Sequence, residues 1–441
     1  MTASPPLPAD PPPTDPMPTD PMPGCALPGT PLAAALPGIN ACVHCGFCLQ
    51  ACPTYLNLED ENDSPRGRIF LMRSLLEGTV SPDDPSVHQH IDQCLGCRAC
   101  EPVCPSGVPY GQLLEATRAT LKESRPIPAL ARLILFVFAR RWLLVPVMSL
   151  SRILASTPIP TLLSGLRGRL GFAMAMLAST GRSIERSRYR PVSSGERGTV
   201  ATLKGCVMEG LFSATNSATE RVLSVNGYAV VSAPGQQCCG ALHAHAGDLD
   251  MARRLARRNI AAFEKSGAAF IAVNAAGCGA IMKEYGHLLQ DDAEWRSRAA
   301  SLSARVRDIS ELLAAAGPRT GGPLPIRVTY DAPCHLQHAQ RITQAPLSML
   351  AAIPGLELIP LHDSDQCCGS AGIYNLIEPD TSDAVLEPKL ANIQATGAPF
   401  VATGNPGCLM QIGAGMIQAD MAARSIHPVD LLDASYAALG Q

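Results

Sequence analysis

Cys42-Val-His-Cys45-Gly-Phe-Cys48-Leu-Gln-Ala-Cys52-Pro53 and Cys94-Leu-Gly-Cys97-Arg-Ala-Cys100-Glu-Pro-Val-Cys104-Pro105 are two copies of one pattern, C-x2-C-x2-C-x3-C-P. Three cysteines two residues apart can wrap a short loop around one cube of iron and sulfide. The fourth, three residues on, turns away to a second cube. The spacing predicts one [4Fe–4S] site from Cys42, Cys45, Cys48 and Cys104, and another from Cys94, Cys97, Cys100 and Cys52. Pro53 and Pro105 lack an N–H and fix the backbone as it leaves each loop. Zinc could also use eight thiolates in two tetrads. A third cysteine in each tight run and a trailing Cys-Pro are not zinc-ribbon features.

Between the two runs lie 41 residues, more than a compact ferredoxin needs. Ser64-Pro65 reads as a helix cap and first helical residue. Ile69, Met72, Leu75 and Leu76 then recur at helical spacing until Gly78. A second helix is expected over Pro109–Leu121, so residues 39–125 read as a helical two-cluster domain. Arg66, Arg68 and Arg73 would either offset cluster charge or form a solvated face. Residues 1–38 are Pro-rich with few large apolar groups, which predicts a disordered leader with Cys25 as a spare thiol.

Residues 126–197 change character. The run from Leu133 to Leu150 is strongly apolar but broken by Arg140, Arg141 and Pro146, so no spanning helix is expected. Arg125 to Arg190 holds eleven arginines and one acidic residue, Glu185. Such a helical, basic, apolar linker can pack as a bridge between domains, dock on a partner, or lie on an anionic membrane surface.

The remaining chain is a duplication. Cys206, Cys238-Cys239-Gly240 and Cys278 are spaced 32 and 39 residues apart. Cys334, Cys367-Cys368-Gly369 and Cys408 are spaced 33 and 40 apart. Matched steps imply two units, 198–320 and 321–441. In the first unit, Thr199–Leu203, Tyr228–Ser232 and Ala269–Val273 read as strands. Ala218–Asn226 and a helix capped by Asp248 and closed by Gly267 read as helices. The second repeats this with strands at Ile326–Tyr330, Leu356–Leu361 and Phe400–Thr403 and a helix at Pro346–Ala352. Alternating elements predict parallel sheets with helical cover, and the cysteines follow strand ends, where such sheets place ligands. Cys206, Cys238, Cys239 and Cys278 are thus a candidate third metal site, and Cys334, Cys367, Cys368 and Cys408 a fourth. Zinc, a redox disulfide, or a site lost in one copy compete with iron–sulfur here. Gly240 and Gly369 would let the backbone approach a bulky cofactor. His335 is a further candidate cofactor contact, while His243, His245 and His338 read as core or surface residues with a proton role open.

The fold class is therefore α+β and multidomain: a helical two-[4Fe–4S] ferredoxin domain followed by a duplicated α/β domain. The chain of 441 residues has 46% hydrophobic residues, enough for real cores, and a net charge of −3 that offers no pull toward nucleic acid. Seventeen cysteines without a basic-then-apolar leader are expected to be metal ligands in a reducing cytoplasm. No dinucleotide fingerprint, Walker loop or Ser/His/Asp order is present, which places any flavin on another chain.

These motifs closely resemble the iron–sulfur subunits of glycolate oxidase (glycolate dehydrogenase). The likeness rests on Cys-Val-His-Cys-Gly-Phe-Cys at 42–48, Pro-Arg-Gly-Arg-Ile at 65–69, Ser-Ala-Thr-Asn-Ser-Ala-Thr at 213–219, Gly-Cys-Gly-Ala at 277–280, Leu-Gln-His-Ala-Gln at 336–340 and Cys-Cys-Gly-Ser-Ala-Gly at 367–372. The resemblance implies an electron-transfer subunit. FAD-binding partner subunits oxidise glycolate to glyoxylate, and this chain carries electrons toward a quinone or respiratory acceptor. The expected location is cytoplasmic, with the basic apolar segment 126–190 able to make peripheral contact with the inner face of the cytoplasmic membrane. Related subunits serve lactate, other 2-hydroxy acids or glycerol 3-phosphate. In the related heterodisulfide reductases each repeat ends in C-x-x-C. Here Ile281 and Gln411 stand in the last position, which weighs against thiol/disulfide chemistry.

Overall fold

The structure, a computed structural model, describes residues 24–124, 127–181, 184, 189 and 191–439. Five arginines of the basic stretch (Arg125, Arg182, Arg186, Arg188, Arg190) and Glu185 lie outside them.

The N-terminal part is helical. Ser64 caps the Pro65–Glu77 helix by accepting from Gly67 N at 2.9 Å, and Gly78 closes it at φ 72°. The long spacer between the cysteine runs becomes three helices, Pro53–Leu58, Pro65–Glu77 and Pro85–Asp92, each opened by proline. The last two, with Tyr110–Leu121, enclose a core of Ile69, Met72, Leu75, Ile91, Leu113 and Leu114. The leader reading needs correction at its C-terminal end. Pro31–Ala34 and Leu36–Asn40 are helical, with Leu32 and Ile39 fully buried in that same core. Two well-placed apolar side chains there outweigh the proline content. Residues 1–23 lie outside the described part.

The second half holds two four-stranded parallel sheets. In the first, β1 (Thr199–Thr202), β2 (Ala229–Val231), β3 (Phe270–Val273) and β4 (Val306–Asp308) run in the order β2-β1-β3-β4. In the second, β5 (Arg327–Tyr330), β6 (Glu357–Ile359), β7 (Phe400–Ala402) and β8 (Arg424–Ile426) repeat it as β6-β5-β7-β8. The registers correspond: Val200 pairs with Val230 and Phe270, and Val328 with Leu358 and Phe400. β4 and β8 carry no alternating pattern and escape a reading by periodicity.

The copies are pinned face to face. The helix after β1, Ser213–Val225, packs on the helix after β8, Pro428–Ala438, and the helix after β4, Ile309–Ala316, packs on the one after β5, Gln344–Ala351. One core spans both sheets, joining Val200, Val222 and Ile309 to Val328, Met349 and Leu432. At its edge Asp433 receives two hydrogen bonds from Arg221, at 2.9 and 2.7 Å, and Asp430 accepts one from Thr215 at 2.9 Å.

Residues 127–181 form helices Ala129–Phe138, Arg141–Ala155, Ile159–Leu163 and Arg169–Ser179. Among the described residues no single helix is long and apolar enough to cross a membrane. The first two qualify only as a pair, and that pair is bent by 104°.

Candidate metal centres

Both ferredoxin-type loops turn by the same device. The residue before the second cysteine and the residue after it are left-handed: His44 (φ 53°) and Gly46 (φ 88°) in one, Gly96 (φ 63°) and Arg98 (φ 63°) in the other. Such alternation curls a backbone so that its N–H groups face inward, a concavity suited to an anionic group. Gly96 N donates to Cys94 Sγ at 3.4 Å.

Cys42, Cys45, Cys48 and Cys104 line one small cavity of about 30 Å³, with Cys100 on its rim beside Ile69, Val108 and Tyr110. Cys45 is the exposed thiol, and Val43 and Phe47 around it are 67% and 66% exposed. Cys52, Cys94, Cys97 and Cys100 are all buried, and Cys52 and Cys94 lie close enough to bear on the ionisation of Cys97 and Cys100. Burial and neighbouring thiols hold Cys97 and Cys100 well above the usual thiol range. Burial pushes Cys48 to about 11. Four thiolates do not coexist here without a cation among them, and an all-sulfur donor set suits iron–sulfur clusters or zinc, not hard cations.

One cation is already built in. Arg68 is fully buried and donates to His90 O at 2.6 Å, Thr54 Oγ1 at 3.0 Å and Asp63 Oδ1 at 2.9 Å, with a further bond to Asp63 O. Burial opposes its charge, but Cys94, Tyr110, Cys52 and Asp63 more than compensate and hold it protonated. Of the three arginines read from the sequence, Arg68 sits under the buried tetrad and Arg66 lines the cavity of the exposed one, where its backbone bonds Cys48. Arg66 pairs with exposed Glu61, and Arg73 reaches Asn40 at the surface.

In each α/β copy the cysteines gather at the carboxyl ends of the strands, where the sheet order reverses between its first and third strands, the usual ligand crevice of such sheets. Cys206 follows β1, Cys238 and Cys239 follow β2, and Cys278 lies on the helix after β3. Cys239 and Cys278 sulfurs are 3.1 Å apart. Cys368 and Cys408, their counterparts, are 3.3 Å apart. Hydrogen bonds from Cys206 and Cys239 draw Cys238 well below the usual thiol range, while those two are driven up. All eight thiols face a single cavity of about 480 Å³, which spacing alone could not show. The ferredoxin part abuts it: Leu95, Cys97 and Ala99 pack in one cluster with Cys367, Tyr374 and Val385.

The glycine reading needs correction. At Gly369 (φ 84°) an added Cβ would lie 2.5 Å from Ser382 O, and at Gly240 (φ 93°) 3.3 Å from the Ala252 backbone. Both glycines admit a neighbouring helix, not a cofactor. Ile281 is buried in the core, and Gln411 is fully buried, hydrogen-bonded to Asn375 at 2.7 Å and Ser382 at 2.9 Å. Neither position supplies a ligand.

His335 lines the cavity, its Nδ1 3.5 Å from Cys334 Sγ and its buried Nε2 without a partner. Burial, then His245 beside it, hold it neutral. His243 pairs with Asp248 at 3.0 Å, His245 with Glu115 at 3.0 Å, and His338 with Asp365 O at 3.0 Å. Sequence reasoning missed Arg118, which donates to Cys94 O at 2.7 Å and His245 O at 2.9 Å and so ties the two halves together. It also missed Asn405, which donates to Cys408 Sγ at 3.4 Å and accepts from Gly277 N across the copies. Asn405 had a faint signal in the Gly-Cys step shared by 277–278 and 407–408.

The comparisons with known proteins bear on this geometry. The 4Fe-4S dicluster domain family matches residues 38–108, and the cysteine-rich CCG domain family matches 200–283 and 328–413. A probable glycolate oxidase iron-sulfur subunit from Bacillus subtilis is 38% identical over 89% of this chain and 92% of its own. The chain belongs to the glycolate oxidase iron–sulfur subunit family. The Escherichia coli glycolate oxidase iron-sulfur subunit is 36% identical over 84% of this chain and 88% of its own. Lactate utilization protein A from Exiguobacterium is 29% identical, covering 53% of this chain and 96% of itself. With the family comes iron–sulfur as the cofactor class, which the all-thiol sets fit.

Proposed function

We propose that the protein is the electron-transfer subunit of a glycolate dehydrogenase. An FAD-bearing partner oxidises glycolate to glyoxylate, and this chain passes the electrons to a quinone-type acceptor from a peripheral position on the cytoplasmic face of the membrane. Cys42, Cys45, Cys48 and Cys104 would hold one [4Fe–4S] cluster, and Cys94, Cys97, Cys100 and Cys52 the second. Cys206, Cys238, Cys239 and Cys278 would hold a third, and Cys334, Cys367, Cys368 and Cys408 a fourth, with His335 beside it. The domain limits at 198–320 and 321–441 belong to this reading, with the ferredoxin part running to 125 and taking in the helix at Pro31–Ala34. Bound clusters supply one-electron carriers matched to a two-electron flavin donor.

The observation that carries the reading is the packing of Cys97 against Cys367. It sets a buried tetrad between an exposed one, at Cys45, and the thiol-lined cavity. The chain's own residues do the rest. Arg68 offsets negative charge beneath Cys52 and Cys94, and Arg118 and the Arg98–Glu284 ion pair (2.6 Å) lock the two halves in register. The exposed apolar side chains around Cys45 suit a partner surface.

Glycolate-dependent dye reduction by the co-purified complex tests this. Cys45→Ser and Cys97→Ser should each abolish it while the partner still binds glycolate. Undiminished turnover in both variants would refute the conduit. The lactate relatives offer the second reading, and a panel of 2-hydroxy acids decides between donors.

A further inference from the structure

Exposed apolar side chains on this molecule are not scattered. Of nineteen large ones among the described residues, twelve fall between Leu130 and Leu170. The Arg141–Ala155 helix has no buried residue at all. Trp142, Leu150 and Ile153 on it are 71%, 67% and 64% exposed, and Leu162 beyond it 76%. The helix is nevertheless fixed in place. Arg152 donates to Gly210 O at 2.9 and 3.0 Å, and Met148 sits so close to Gly210 that a Cβ there would meet its sulfur at 2.6 Å. The outward face is therefore a built surface.

Its charge is one-sided. Residues 127–181 hold six arginines and no Asp, Glu or Lys. At one edge a cleft is lined by Arg140 and Arg141 from the bend, by Arg254 and Arg258 from the Leu249–Ser266 helix, and by Trp142. The acid near it, Asp250, lies 3.6 Å from Arg253. Arg258 donates to Gln237 and Arg254 to a backbone carbonyl, so among the described residues neither guanidinium is bound to a carboxylate there. Four cations from two separate elements beside an exposed indole form a pattern suited to acidic headgroups at an interface. Ala131, Ile134, Phe138 and Met148, on the inner side of the same helices, form part of the wall of the thiol-lined cavity.

We infer that helices Ala129–Leu163 are a monotopic foot that beds in an anionic bilayer leaflet, with the Arg140/Arg141/Arg254/Arg258 cleft as its phospholipid headgroup site. The charge on this face is of one sign: exposed apolar side chains stand beside cations, with only uncharged polar groups such as Ser149 and Ser151 between them, the composition of a helix that lies in a membrane interface. The inference rests on the peripheral membrane position proposed above and names its surface. The thiol-lined cavity then lies one helix layer from lipid.

Flotation of the full, anaerobically purified chain with vesicles tests it. The chain should float with phosphatidylglycerol/phosphatidylcholine vesicles and stay behind with pure phosphatidylcholine. Arg141→Glu with Arg258→Glu should lower the partition coefficient by about tenfold or more, and the matching Arg→Lys pair should restore it. Leu150→Glu with Ile153→Glu should abolish flotation, with the circular dichroism and iron content of every variant unchanged. Equal binding to neutral vesicles, no binding to either, or a dimer in solution that these variants dissolve would overturn the inference. Flotation reads lipid contact and dye reduction reads electron transfer, so either can fail without the other.

Discussion

Arg68 shows how much one side chain can settle. Its position beside Ile69, Met72 and Leu75 leaves a solvated face and an offset to cluster charge both open, and it is fully buried between Asp63 and two cysteines, which favours the second. Replacing it with Met leaves the Asp63 carboxylate buried and half-paired, at a cost of about 3–5 kcal/mol. Thermal unfolding of the anaerobic protein should show that loss, together with iron missing from the second tetrad. His427 is a second case. Its Nε2 donates to Asn274 O across the two copies and its Nδ1 accepts from Val429 N, so only the neutral ring fits. Burial lowers it to about 4. The unfolded chain then takes up a proton first as pH falls through about 6.5, so this residue's contribution to stability is present above that pH and declines below it. Between pH 7.5 and 5.5 the decline should be about 1 kcal/mol, and His427→Asn should remove it from the pH profile. An unchanged profile would show that the ring accepts a proton in place.

At the scale of elements, the helix punctuation was readable because caps act locally. Ser64, Pro65 and Gly78 bracket the observed helix, and Gly267 closes Leu249–Ser266 as expected. Asp248 heads that helix, but its carboxylate is drawn to His243 and Lys122 and caps nothing, since tertiary partners outbid a local bond. Three strands of each sheet were legible from their apolar runs. β4 and β8 are three residues long and gain their place from pairing with β3 and β7. The glycines separate two costs. Gly397→Ala, with open space around a φ of 59°, should lose about 1 kcal/mol from backbone strain alone. Gly369→Ala adds a clash with Ser382 O and should lose clearly more. Equal losses would mean that the Pro379–Thr396 helix yields at no cost.

On the scale of the whole molecule, the duplication was legible because cysteine spacing survives in both copies. Their shared cavity was not, because it depends on helices of one copy packing against those of the other and on contacts such as Ala276 N to Gly404 O at 3.1 Å. Nor could spacing tell that the buried tetrad adjoins one copy, at Cys367, or that Arg118 and Arg98 join the halves. Arg118→Ala should leave Cys94 O and His245 O unmet and loosen that joint. The expected result is faster proteolysis after residue 121 with the iron of the first tetrad retained. The central claim is that these sixteen thiols hold iron–sulfur centres in line. Iron, acid-labile sulfide and zinc counted on the anaerobically purified chain test it most directly. The account predicts matched iron and sulfide at more than about eight of each per chain, since two [4Fe–4S] clusters alone account for eight. Stoichiometric zinc with little iron, or iron well below eight, would contradict it.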